Sequence, residues 1–127
     1  MTLQARDLAM VAAGGAIGST LRYLVGKAMG PQADSSVPWH TLFVNVTGAF
    51  ILGVVIAVAA RHGWPGWWRP FVAVGILGGY TTFSTYSIES VELMLRGHTT
   101  TGLVYALGSV GIGLLAAWLG LLVGRAA

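Results

Sequence analysis

The chain contains no cysteine and very little charge. Only 9% of its 127 residues are Asp, Glu, Lys or Arg, whereas a soluble domain usually carries about a quarter. The missing cysteines exclude disulfides and thiolate metal sites. So few charges cannot cover a water-facing surface, and 55% of the residues are hydrophobic. The composition therefore predicts a membrane protein, and a net charge of +3 from so few residues gives no support to nucleic-acid binding.

Four apolar stretches divide the chain, each long enough to cross a bilayer as a helix of about 20 residues. They lie at about residues 8–29, 38–60, 70–95 and 100–123. Short polar loops join them, and no stretch is left for a domain outside the membrane. The pattern predicts an all-α membrane protein in which residues 1–127 form a single four-span domain.

The third stretch carries residues that a lipid-facing helix normally lacks. Gly75, Gly78 and Gly79 weaken a helix, and hydroxyls and aromatic rings follow them directly over residues 80–87. In hydrocarbon an unpaired amide or carbonyl costs several kcal/mol, so broken backbone is tolerated only inside protein or beside water or an ion. This predicts a third helix that is broken in mid-membrane, with a functional site at the break.

Isolated polar residues mark the other spans. Thr41 and Asn45 share one face of span two, and Tyr105 and Ser109 share one face of span four. Asn45 is consistent with a hydrogen bond between helices or with a donor that lines an ion path. Arg22 is either an interfacial arginine whose head reaches water or a cation that attracts anions, and the two interpretations are compatible.

Phe83 and Tyr86 lie three residues apart on one helix face. Such a pair usually packs, but an aromatic ring edge is electropositive and faces an anion without a competing full charge. The hydroxyls of Ser84, Thr85 and Ser87 surround these rings, and packing alone does not require them. The group therefore favours an anion path.

The carboxylates and histidines indicate no catalytic centre. Glu89 and Glu92 fall near the end of span three, where ordinary solvated or interfacial carboxylates are expected. His40, His62 and His98 lie at span ends or in loops without the spacing of metal ligands, and no role is assigned to them. The sequence carries no catalytic triad, phosphate-binding loop or zinc motif, so an enzyme is not expected.

Lysine and arginine are distributed almost evenly between the two sides of a four-span topology. One side carries Arg6, Arg61, Arg69 and Arg125, and the other carries Lys27 and Arg96, with Arg22 near it. Orientation depends on a Lys/Arg excess, and this excess is small. A chain that inserts in both orientations can form an antiparallel dimer with its two-fold axis in the membrane plane.

The run Gly78-Gly79-Tyr80-Thr81-Thr82-Phe83-Ser84-Thr85-Tyr86-Ser87-x-Glu89 closely resembles the third-span signature of the Fluc (CrcB-type) fluoride channels. The similarity extends to Gly14-x-x-x-Gly18-x-x-x-Arg22-Tyr23 in span one and Thr41-x-x-x-Asn45-x-x-Gly48 in span two. The resemblance covers all four spans. It implies a dual-topology, antiparallel homodimer in the cell inner membrane that encloses two separate pores and exports fluoride passively.

The resemblance also implies roles for particular residues. Backbone carbonyls of Gly78 and Thr81, from both subunits, would hold a buried structural sodium ion. The implied fluoride pathway comprises Arg22, Thr41, Asn45, Phe83, Ser84, Tyr86, Ser87, Tyr105 and Ser109. Tyr86 departs from the phenylalanine usual in the family, and its added hydroxyl could donate to fluoride or narrow the path.

Two other classes of membrane protein are consistent with four apolar spans. A small multidrug-type transporter needs a carboxylate inside the first span for proton coupling, but this span has only Asp7 at its edge and carries Arg22 instead. Gly14, Gly15 and Gly18 of span one put small residues one helical turn apart, which predicts a close contact with another helix. A non-transporting assembly factor agrees with this glycine spacing, but it does not need the clustered hydroxyls and aromatic rings of span three.

Overall fold

The computed structural model describes residues 2–127, and these residues are helical with no β-strand. The elements in chain order are α1 (Ala5–Met29), α2 (Trp39–His62), a π-helical segment (Arg69–Leu77), α3 (Gly78–Tyr80), α4 (Phe83–Leu95) and α5 (Thr99–Ala126). The predicted all-α class is confirmed. α3 continues directly from the π-helical segment, and Thr81 and Thr82 separate it from α4.

Within residues 2–127, three helices are long and apolar enough to cross a membrane. They are α1, α2 and α5, with 25, 24 and 28 residues, and they occupy the first, second and fourth apolar stretches of the sequence. Gly30 follows α1 with φ of 73°, and Gly63 follows α2 with φ of 61°. Glycine accepts a positive φ without steric cost, so these two positions end the helices.

α1 and the π-helical segment touch through their backbones. A β-carbon at Gly14 would overlap the carbonyl oxygen of Phe71, and one at Gly18 would overlap that of Ile76. A β-carbon at Gly75 would lie only 2.8 Å from the Cα of Gly14. The close helix contact predicted from the glycine spacing in span one is therefore confirmed.

α2 and α5 also approach each other closely at glycine residues. A β-carbon at Gly53 would lie 2.5 Å from the carbonyl oxygen of Ala117, and one at Gly124 would lie 2.6 Å from that of Val54. Small residues suit helix contacts in lipid because water supplies no hydrophobic force between the helices there. These contacts bring the polar face of α2 towards α4 and α5.

Large apolar side chains cover the outside of the bundle. Leu95 is 81% exposed, Leu107 72% and Leu114 69%. The buried apolar residues are fewer, and several of them are small, such as Ala57 and Ala59. An apolar exterior is what contact with the hydrocarbon of a bilayer favours.

Candidate functional site

The backbone between α3 and α4 is extended at two residues. Thr81 has φ −83° and ψ 157°, and Thr82 has φ −149° and ψ 116°. The Thr82 side chain caps α4, since its Oγ1 accepts the Thr85 N–H at 3.2 Å. The Thr81 N–H and hydroxyl both donate to the carbonyl oxygen of Leu77, each at 3.0 Å. The two threonines thus satisfy part of the backbone that the interruption leaves unpaired.

Asn45 of α2 completes the backbone hydrogen bonding of Thr82. Its Nδ2 donates to the Thr82 carbonyl oxygen at 3.0 Å, and its Oδ1 accepts the Thr82 N–H at 2.7 Å. One amide side chain therefore imitates a neighbouring peptide group. The contacts are those of the helix-to-helix interpretation of Asn45, and its place in an ion path stays a prediction.

Arg22 lies against the end of α3. Its Nε donates to the carbonyl oxygen of Gly79 at 3.1 Å, and its terminal amino groups make no hydrogen bond with the residues that the structure describes. A cavity of about 820 Å³ opens beside it, and Lys27, His40, Thr41 and Thr82 also line this cavity. Arg22 thus holds a carbonyl of the interruption and leaves donors facing a cationic vestibule, a name we use for this cavity.

Several carbonyl groups at the interruption, including that of Tyr80, have no hydrogen-bond donor among residues 2–127. Within residues 2–127, the carbonyl oxygens of Gly78 and Thr81 accept no hydrogen bond. Asn45 takes the N–H of Thr82 that would otherwise bond back to Gly78 in a continuous helix. Gly78 and Thr81 both line a second cavity, of about 470 Å³, which borders α2, α4 and α5.

Glu89 is the residue that the sequence interpretation missed. Its side chain is only 17% exposed. Its Oε1 accepts the Thr41 hydroxyl at 2.8 Å, and its Oε2 accepts the Tyr105 hydroxyl at 2.7 Å. The expectation of an ordinary solvated or interfacial carboxylate is wrong, because two buried hydroxyls from different helices donate hydrogen bonds to its two oxygen atoms. Its i,i+4 spacing from Thr85 on one face of α4 was the available signal.

The aromatic side chains of the third segment pack in a row that continues onto α5. The Phe83 and Tyr86 ring centroids lie 5.6 Å apart, and those of Tyr86 and Tyr105 lie 5.5 Å apart. The Tyr86 hydroxyl donates to the carbonyl oxygen of Ala106 at 2.6 Å. Phe83, by contrast, is 79% exposed in the single subunit. The added hydroxyl of Tyr86 therefore ties its ring to α5.

The three serines of the predicted pathway have different surroundings. The Ser87 hydroxyl donates to the Phe83 carbonyl oxygen within its own helix at 2.8 Å, and the exposed Ser84 hydroxyl lies 3.4 Å from Thr82 Oγ1. The Ser109 hydroxyl is buried and has no partner among residues 2–127. Ser109 lines the second cavity, whereas Ser84 and Ser87 line neither of the two cavities.

The structure brings the predicted pathway residues together in two places joined by Thr82. Arg22 and Thr41 line the vestibule, and Asn45, Phe83, Tyr86 and Ser109 line the second cavity. Thr82 borders both cavities. Tyr105 lies outside both linings and reaches Thr41 only through Glu89. Arg22 at the vestibule and the Ser109 hydroxyl at the second cavity keep donors without a protein acceptor among residues 2–127. Fixed donors of this kind suit a small anion that exchanges its hydration water for protein groups.

The fold and this site define a helical, multi-pass membrane protein with an apolar exterior and a cluster of polar contacts around the interruption. A model of the family described as "CrcB-like protein, Camphor Resistance (CrcB)" matches residues 9–121. The chain therefore belongs to the CrcB-like family.

Several curated relatives match almost the whole chain. The "Fluoride-specific ion channel FluC" of Rhizobium meliloti (strain 1021) is 47% identical over 118 residues, which cover 92% of this chain and 94% of the relative. A protein of the same name from Thermus thermophilus is 44% identical over 117 residues, or 92% of each chain. That of Magnetococcus marinus is 44% identical over 120 residues, with coverage of 94% and 98%.

Proposed function

We propose that this chain is the subunit of a passive, fluoride-selective ion channel, which catalyses no chemical reaction. The observation that carries the proposal is the match to relatives named as fluoride-specific ion channels over nine-tenths of the chain. The donors that face the two cavities agree with that name. Export of fluoride from the cytoplasm across the cell inner membrane, driven by membrane potential, would relieve fluoride toxicity.

The proposed path runs from the vestibule past Thr82 to the second cavity. Arg22 attracts the anion from water and Ser109 offers a buried hydroxyl without another partner. The edges of the Phe83 and Tyr86 rings add weak electropositive contacts. Several weak sites let an ion enter and still leave, whereas one strong site would trap it. The Thr41 and Tyr105 hydroxyls donate to Glu89 in this conformation, so they contact fluoride only after releasing that carboxylate.

We also propose that the π-helical segment, α3 and α4 cross the membrane as one span with its interruption near the middle. Residues 69–95 are enough for a crossing. Asn45 bonds both backbone groups of Thr82 in the extended stretch, and the flanking residues are largely apolar. This would place the unpaired carbonyls deep in the protein, where they need another partner.

An antiparallel homodimer would bury groups that are exposed on the surface of a single subunit. Phe83 and Ser84 are exposed beside the interruption, and a hydroxyl facing acyl chains is costly. The even Lys/Arg distribution supports insertion in both orientations. A second copy related by a two-fold axis in the membrane plane would meet the same face with its own Phe83.

A structural sodium ion at the centre of that dimer is the remaining part of the proposal. The Gly78 and Thr81 carbonyl oxygens fit it, because both lack a hydrogen-bond donor within residues 2–127 and hard cations prefer oxygen ligands. An ion that binds only the folded dimer stabilises it. The purified protein should therefore unfold at a higher temperature in sodium chloride than in choline chloride of equal concentration. Equal unfolding temperatures would contradict the sodium site.

The channel is tested by ion efflux from liposomes that hold the purified protein. A fluoride electrode should record rapid fluoride release after a potassium ionophore balances the charge, while chloride-loaded liposomes retain their ion. Liposomes without protein provide the baseline. Release that requires a proton gradient would favour the multidrug-type transporter, and no release above baseline would favour the assembly factor.

A further inference from the structure

His40, at the start of α2, faces the Glu89 carboxylate from the vestibule side. Its Nε2 lies 3.7 Å from Glu89 Oε1, and its side chain is 38% exposed. The same Oε1 accepts the Thr41 hydroxyl at 2.8 Å. His40 and Thr41, at neighbouring positions of one helix, therefore both lie next to the same oxygen atom of Glu89.

The hydrogen bond of the other ring nitrogen of His40 determines where the proton of the neutral ring lies. Its Nδ1 lies 3.2 Å from Gln32 Oε1. That oxygen also accepts the backbone N–H of Trp39 at 2.9 Å, so a backbone donor fixes it as the carbonyl oxygen of the amide. Because an amide oxygen only accepts, Nδ1 must carry a proton to make this hydrogen bond.

This assignment decides what Nε2 presents to Glu89. A neutral imidazole carries one proton, so with Nδ1 protonated the Nε2 atom turns a lone pair towards a carboxylate oxygen. The charged imidazolium carries a proton on both nitrogens and turns a donor towards the same oxygen. The contact is repulsive in the first form and attractive in the second. Histidine is also the side chain that ordinarily changes charge between about pH 5 and pH 8.

We propose that His40 is a proton-sensitive positioning residue that sets the charge and the hydrogen bonding of Glu89 beside the ion path, so that fluoride conduction rises as pH falls. The inference rests on the proposed fluoride channel and adds a regulator to it. The charged ring offsets the negative charge of Glu89, which otherwise repels an anion. It also competes with the Thr41 hydroxyl for Oε1 and makes that hydroxyl available to fluoride.

Other charged and titratable groups surround His40, and they act with it. Across the vestibule α1 presents Arg22, Tyr23 and Lys27. The remaining groups are Asp34 in the loop before α2, Glu92 on α4, Arg96 just after α4 and, through Glu89, Tyr105 on α5. Glu92 and Arg96 lie 3.6 Å apart and offset each other. Glu89 is the carboxylate within ion-pair distance of the His40 ring among the described residues.

The test is the fluoride current through the purified, full-length channel in a planar bilayer with equal pH on both sides. Electrical current excludes neutral hydrogen fluoride, which carries no charge. Between about pH 8 and about pH 5.5 the wild-type current should rise roughly three- to tenfold, because a unit charge is added next to the path. His40→Gln should remove most of this rise, since its amide stays neutral over the whole range.

Two further variants keep the result specific. His98 lies at the same end of the bundle but lines neither the vestibule nor the cavity formed by Asp34, Glu92 and Arg96. The His98→Gln variant should therefore retain the wild-type pH profile. His40→Lys carries a charge throughout, so its current should be high and nearly independent of pH. This variant decides the matter even where His40→Gln does not fold.

The two proposals fail in different ways. A selective fluoride current that is flat with pH in the wild type, or a pH profile that survives in His40→Gln, overturns the role of His40 and leaves the channel standing. A pH-dependent current that is lost equally in His98→Gln also overturns it. The absence of fluoride current at every pH overturns the proposed function itself.

Discussion

At the residue scale, the site depends on side chains that complete an interrupted backbone. Asn45 bonds both polar groups of the Thr82 peptide, and Arg22 bonds the Gly79 carbonyl oxygen. Each residue thereby does two things, because it stabilises the interruption and faces a cavity beside it. Substitutions at these positions should change folding and conduction together.

Asn45→Leu should lower the free energy of unfolding by about 2–4 kcal/mol, because it leaves the buried N–H and carbonyl of Thr82 without partners. Fluoride efflux should fall with it. Thermal unfolding in detergent and the electrode assay provide the two measurements. Ser90→Ala is the control, since its hydroxyl bonds only a carbonyl of its own helix. Full stability in Asn45→Leu would mean that water replaces the amide.

Tyr86→Phe should keep fluoride conduction and selectivity while lowering the free energy of unfolding by about 1 kcal/mol. The reason is that the Tyr86 hydroxyl donates to the Ala106 carbonyl oxygen rather than into the path. Tyr105→Phe is the matched comparison, because it removes a donor from Glu89 and should reduce conduction more. If Tyr86→Phe abolished conduction, the hydroxyl would have to contact the ion directly.

At the element scale, glycines set how closely the helices approach and hence where the interruption lies. Gly14 and Gly18 allow α1 to touch the backbone of the π-helical segment, and a β-carbon at Gly79 would lie 2.9 Å from the Gly15 carbonyl oxygen. This contact brings Arg22, one turn beyond Gly18, to the end of α3. A shift of α1 would therefore break the Arg22 bond as well.

Gly18→Ala should destabilise the protein by about 1–3 kcal/mol, because its β-carbon overlaps the Ile76 carbonyl oxygen. Gly15→Ala is the matched control on the same helix, since a β-carbon there meets nothing within 4 Å. Alanine is the better helix former, so Gly15→Ala should be neutral or slightly stabilising. Thermal unfolding of both variants in one detergent compares them. Equal stability of the two would argue against the direct backbone contact.

At the scale of the whole molecule, polar groups exposed at the interruption support the proposal of a second copy that covers them. Phe83 and Ser84 are exposed, while the Gly78 and Thr81 carbonyl oxygens have no donor within residues 2–127. The proposed antiparallel dimer covers them without any additional protein. Its formation requires that copies of one chain insert in opposite orientations.

That orientation can be measured directly, because the chain has no native cysteine. Gly66→Cys and Ser36→Cys place single thiols in loops at opposite ends of the bundle. A membrane-impermeant thiol reagent added to intact cells should label roughly half of each variant, since the Lys/Arg excess is too small to fix one orientation. Labelling of one variant almost completely and the other hardly at all would exclude the antiparallel dimer.

Local sequence patterns predicted the helices but misjudged some of the contacts. The glycine spacing of span one predicted a close helix contact, and the structure has it at Gly14 and Gly18. Glu89, however, was expected to be solvated from its position near a span end, and it is held by two buried hydroxyls instead. His40 was assigned no role, because nothing near it in the sequence predicts that it faces Glu89.

The sequence by itself determined that the chain is helical and lies in a membrane, because the length and apolarity of each stretch are local properties. Only the tertiary structure decided the polar pairs. Asn45 and Thr82 are 37 residues apart, Thr41 and Glu89 48, and Arg22 and Gly79 57. Such pairs depend on which helix faces meet and on how far each helix is shifted along its axis relative to the other. Packing between helices at glycine contacts sets both, and no residue nearby in the sequence does.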